Sequence, residues 1–91
     1  MAEYLVELYV SRADAGAAER GADEARVAAE QLTREGTPVR YLRSIFVPDD
    51  ETCFLLYEAG SVESVREAVR RAAIPFDRVA EAITESKGER L

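Results

Sequence analysis

The stretch Val39-Arg40-Tyr41-Leu42-Arg43-Ser44-Ile45-Phe46-Val47-Pro48-Asp49-Asp50-Glu51-Thr52-Cys53-Phe54-Leu55-Leu56-Tyr57-Glu58-Ala59 decides the fold. Two runs rich in β-branched and aromatic residues flank the polar turn Pro48-Asp49-Asp50-Glu51. Proline presets a turn dihedral and aspartate bonds to nearby backbone, so the pattern predicts a β-hairpin. Everything else in the chain can be read as packing against it.

Upstream, Tyr4-Leu5-Val6-Glu7-Leu8-Tyr9-Val10 reads as a first strand. Its more apolar parity, Tyr4, Val6, Leu8 and Val10, is expected to face the core, and Leu5, Glu7 and Tyr9 the other side. Ser11 to Ala17 reads as a junction with Gly16 inside it, and a helix then runs to about Glu35. Ala18, Ala22, Ala25, Ala28 or Ala29, and Leu32 recur at helical spacing, with Asp14 as N-cap and Gly36 as stop. A mostly alanine stripe lets this helix sit close to whatever it covers. Downstream, Ser61 caps a second helix whose buried stripe is Val62, Val65, Ala68 or Val69, and Ala72. Ile74-Pro75-Phe76-Asp77 breaks it, because proline cannot continue a helix. Val79 to Ile83 is read as the last strand.

The order strand, helix, strand, strand, helix, strand is the βαββαβ pattern of the α+β ferredoxin-like fold: a four-stranded antiparallel sheet with two helices on one face. One domain over residues 1–85 and a polar tail over 86–91 are expected. The uncovered face would be lined by Leu5, Glu7 and Tyr9, by Tyr41, Arg43 and Ile45, and by Phe54, Leu56 and Glu58. Leu42, Ser44 and Phe46, with Cys53, Leu55 and Tyr57, would face the helices. Leu5, Ile45, Phe54 and Leu56 would then form an apolar patch on the open side. Such a patch predicts a homodimer that presses two sheets together, with a small-molecule cavity between them.

Composition narrows the chemistry. Of 91 residues, 47% are hydrophobic and 33% charged, which is globular composition. The net charge of −6 offers no basic footprint for nucleic acid or for an anionic membrane. No apolar run approaches the roughly 20 residues of a membrane span. The opening Met1-Ala2-Glu3-Tyr4 lacks a basic leader, and the single Cys53 suits a reducing compartment, so a cytoplasmic location is expected. The chain contains no histidine. A Ser-His-Asp triad, a Cys-His pair and a histidine metal cluster are therefore excluded.

Several segments together resemble a known family. They are Tyr4-Leu5-Val6-Glu7, Tyr41-Leu42-Arg43-Ser44, Val47-Pro48-Asp49, Cys53 to Tyr57-Glu58-Ala59, and Ala72-Ala73-Ile74-Pro75-Phe76-Asp77-Arg78-Val79. The series is similar to a bacterial family of small ferredoxin-like proteins, known as a domain of unknown function or as nickel-binding proteins. It extends from Glu3 to about Ile83, and the ordered series carries it rather than any single motif. The resemblance implies the ferredoxin-like fold, a dimer and, for some members, a nickel site. In this chain the helix positions where nickel ligands would be expected carry Ala, Glu and Arg. Nickel is therefore not carried over, and no cofactor or metal ligand is assigned.

The candidate catalytic residues are Glu7, Arg43 and Glu58, which share one parity on adjacent strands. Arg43 would hold one carboxylate, while the other, in a dry cavity, would serve as general acid or base. The alternative is a structural ion-pair network. Tyr9, Tyr41, Arg43 and Phe54 are the candidate ligand contacts. Tyr57, like the first two, is either a hydroxyl donor or an amphipathic packing residue. Cys53 is a nucleophile only if a cation or helix N-terminus activates it, and is otherwise an inert core thiol. Asp49, Asp50 and Glu51 either bind a hard cation weakly or simply form the turn. Three functions stay open: a dimer that binds a small ligand or metal, a cofactor-free cyclase, isomerase or monooxygenase, and a ligandless interaction module.

Overall fold

The computed structural model describes residues 1–83. Its elements are β1 (Ala2–Tyr9), α1 (Ala15–Arg34), β2 (Val39–Val47), β3 (Thr52–Ala59), α2 (Val62–Arg71) and β4 (Arg78–Ala82). All strand pairs are antiparallel, in the order β2-β3-β1-β4, and the fold is ferredoxin-like. The expected tail at 86–91 lies outside the described residues.

The central pair β1–β3 follows strict alternation. Tyr4, Val6 and Leu8 are buried on one face, opposite Tyr57, Leu55 and Cys53. Above them lie Ala25, Ala28, Ala29 and Leu32 of α1 and Val65, Ala68 and Val69 of α2, all buried. Small residues along α1 let it approach the sheet closely, so valine and alanine suffice to fill the second helical stripe. Val6, Leu55 and Tyr57 are at most 1% exposed and form the densest part of this core.

Local chemistry sets the helix ends. The Asp14 carboxylate accepts the Ala17 N–H at 3.1 Å and so satisfies one free donor of α1. At its other end Gly36 has φ +106°, and its N–H donates to the Thr33 carbonyl while that of Thr37 donates to the Leu32 carbonyl. This paired closure of the last turn requires a left-handed residue, which glycine adopts without strain. Helix α2 starts on Ser61, whose hydroxyl accepts the Ser64 N–H. It ends in the same closure, with Ala73 N–H to the Arg70 carbonyl and Ile74 N–H to the Val69 carbonyl. Here the left-handed residue is Ala73, at φ +60°. Proline at position 75 follows the break rather than making it.

Two expectations need correction. The register of β2 against β3 steps from Tyr41 opposite Tyr57 to Arg43 opposite Leu56, which leaves Leu42 as the extra residue of a β-bulge. A bulge places two residues against one and changes the phase of the alternation. Tyr41 therefore faces the helices, opposite Tyr57 on the buried face, instead of the open side. Arg43 and Ile45, beyond the bulge, share the open face with Leu56 and Phe54 as expected. Strand β4 begins at Arg78, one residue earlier than read, and ends before Ile83. The earlier start lets Arg78 pair with Glu7.

Replacing Ala73 with glycine removes the Cβ strain of the left-handed closure. The Ala73→Gly variant is expected to gain about 1 kcal/mol in urea unfolding. A destabilised variant would show that the closure carries no strain.

Candidate functional site

The uncovered face is built from rows of residues that run across the strands. In one row Ile45, Phe54, Glu7 and Arg78 are neighbours; in the next, Arg43, Leu56, Leu5 and Ala80. A third row holds Arg40, Glu58, Glu3 and Ala82. Leu5, Phe54, Leu56 and Ile45 meet in the middle of this face, and Ile45 is 45% exposed. Both helices lie on the far side.

Charged residues bound the apolar centre. The Arg78 Nε donates to Glu7 Oε1 at 3.0 Å. On the other side Arg40 and Glu58 pair at 3.8 Å. The expected cluster of Glu7, Arg43 and Glu58 is thus arranged differently. Each carboxylate is held by an arginine that the sequence reading did not single out. Arg43 lies between the two pairs, exposed and without an ion-pair partner among the described residues. These are half-exposed surface pairs, which contribute at most about 1 kcal/mol each. They matter for where charge sits, not for holding the fold. The signal that could have found Arg78 is its place at the start of the last strand, in register with Glu7.

The tyrosines separate into three environments. Tyr9 is 65% exposed, and its hydroxyl donates to Glu51 Oε2 at 3.4 Å. The same oxygen accepts the Arg12 N–H at 3.0 Å, while the Arg12 guanidinium donates to the Asp49 carbonyl. The acidic turn is therefore tied to the end of β1. Among the described residues no three Cys, Asp or Glu side chains gather as a metal site. Tyr41 is half-buried and meets the ring of Tyr57 edge-on, with centroids 5.7 Å apart. Tyr57 is fully buried, and its hydroxyl has no hydrogen-bond partner among the described residues. Burial, and secondarily the neighbouring Tyr41, pushes its phenol well above the ordinary value of 10.0.

Phe54 sits on the open face between Ile45 and Glu7. Cys53 points the other way, 1% exposed, and desolvation pushes its thiol up, away from the reactive thiolate. No helix among the described residues is long and apolar enough to cross a membrane.

Comparison with known proteins agrees with this architecture. A family described as nickel responsive protein SCO4226-like matches residues 4–82. The crystal structure of SCO4226 from Streptomyces coelicolor A3(2) superposes with a TM-score of 0.69 at 18% identity, covering 92% of this chain and 99% of that one. At that identity the likeness speaks for the fold. No curated protein matches the chain.

Tyr57 generates a prediction about stability and pH. Its folded-state pKa is raised, so its neutral form stabilises the fold fully below pH 10.0, the ordinary value. Above that pH the unfolded chain loses the proton first, and stability falls as pH rises. Tyr57→Phe should remove this part of the alkaline loss. It should also gain about 1 kcal/mol near neutrality, because the unpartnered hydroxyl is gone. Urea midpoints of both proteins between pH 7 and pH 11 measure the two effects.

Proposed function

Because the chain belongs to the SCO4226-like family of nickel-responsive proteins, we propose that it works as a homodimer that closes its uncovered sheet faces on each other and holds a small anionic ligand between them. The observation that carries this reading is the composition of that face. Leu5, Ile45, Phe54 and Leu56 form an apolar centre, bounded by Glu7–Arg78 on one side and Arg40–Glu58 on the other. A face with both signs of charge around an apolar middle is self-complementary under a two-fold rotation, the commonest symmetry of soluble oligomers. Closing it would remove the apolar centre from water, a gain of about 25 cal/mol per Å². Arg43 supplies the ligand chemistry. It is the open-face guanidinium that no carboxylate of the described residues holds, and it stands beside Leu56. Arginine recognises a carboxylate or phosphate through two parallel hydrogen bonds.

The family's nickel response does not suit this chain's donors. Nickel favours imidazole or several thiolates. The chain has no histidine, and its single thiol is buried and held protonated. The acid–base enzyme reading is disfavoured as well, because Glu7 and Glu58 are both engaged by arginines.

Size-exclusion chromatography with light scattering is expected to give a dimer for the native chain and a monomer for Leu56→Asp, with unchanged circular dichroism. A monomeric native chain at micromolar concentration would remove this reading. Calorimetric titration of tag-free protein with nickel chloride is expected to show no saturable binding.

A further inference from the structure

A well-formed concavity among the described residues lies away from the open sheet face. It lies at the β2 edge, where the C-terminal half of α1 overhangs the start of β2, and has a volume of about 590 Å³. That falls within the roughly 300–1,000 Å³ range of small-molecule sites. Ala29, Pro38, Val39, Tyr41 and the Met1 side chain supply apolar walls. Arg26, Arg34 and Arg40 stand on its lining against one carboxylate, Glu30. In a chain with 18 acidic and 12 basic residues, this local excess of positive charge runs against the overall balance.

The three guanidinium groups are not equally free. Arg26 pairs with Asp23 at 3.4 Å and Arg40 with Glu58 at 3.8 Å. Arg34 has no ion-pair partner among the described residues. The end of the groove is rigid, because Thr33 Oγ1 donates to the Val39 carbonyl at 2.8 Å and accepts the Val39 N–H at 3.1 Å. These two bonds tie the helix to the edge strand. Tyr41, one wall, packs against Tyr57, whose buried hydroxyl lacks a partner among the described residues. A buried polar atom left unsatisfied beside a groove wall is unusual in a native core.

We propose that this groove binds an amphipathic carboxylate, with its hydrocarbon body along Met1, Pro38 and Tyr41 and its head group on Arg34. An uncharged apolar molecule would leave the arginines unused. A compact inorganic anion would leave the apolar walls wet. The occupant that uses both is a carboxylic acid with an apolar body. The site is separate from the proposed sheet interface, although Arg40 touches both.

The test is isothermal titration of the full-length protein with decanoate, and with decanol as the uncharged comparison. Decanoate is expected to saturate one site per chain. Decanol should bind about tenfold more weakly, and so should decanoate to Arg34→Glu, the loss of a charge-assisted hydrogen bond. Arg34 is exposed and has no ion-pair partner among the described residues, so the variant is expected to keep its circular dichroism and melting temperature. Ile45→Asp, on the open sheet face, should leave the decanoate affinity unchanged, which separates this site from the proposed dimer. Absence of saturable decanoate binding would overturn the proposal. So would equal affinity for decanol, undiminished binding by Arg34→Glu, or loss of binding in Ile45→Asp.

Discussion

The strict two-residue alternation of the central strands is the constraint on which the rest of the molecule depends. In β1 and β3 every second side chain enters one apolar layer: Tyr4, Val6 and Leu8 meet Tyr57, Leu55 and Cys53. A shift of one residue in either strand would send Glu7 or Glu58 into that layer unpaired, at a cost of several kcal/mol. The register is therefore strongly selected, and both outer strands pair against a fixed template. No charged residue is buried among the described residues, which is the result of that selection.

The helices answer to the same layer. Alanine at positions 18, 25, 28 and 29 gives α1 a flat contact surface. The sheet then supplies the bulk of the core through Tyr57, Leu55 and Tyr4. Each helix closes through a left-handed residue, and only one of the two is glycine. The Ala73 closure persists because Ile74 and Phe76, just beyond it, pack against the core and fix the path of the chain into β4.

Placing both helices on one side leaves the other face of the sheet uncovered. Its charges are arranged as separate pairs around an apolar centre. The groove at the β2 edge is a different kind of surface, with a fixed shape and an excess of arginine. On each surface one guanidinium has no ion-pair partner among the described residues, Arg43 in the first and Arg34 in the second. Neither relies on the metal for which the family is described.

The order of strands and helices, the Asp14 and Ser61 caps, the Gly36 stop and the buried parity of β1 and β3 were legible in the residues. These features follow from local periodicity and local hydrogen-bond chemistry, which a linear sequence contains in full. The site was less legible. Glu7 and Glu58 were recognisable as open-face carboxylates, but their partners Arg78 and Arg40 depend on which residues face one another across strands. The side occupied by Tyr41 turned on one bulged residue, Leu42, which no propensity marks. The edge groove arises where a helix end and a strand start converge in space, just after the chain has turned at Gly36. By itself the sequence determined the ferredoxin-like order, the core and the absence of imidazole chemistry. Only the tertiary structure decided which charges meet, because pairing across a sheet is set by register, and register is a property of the whole packed layer.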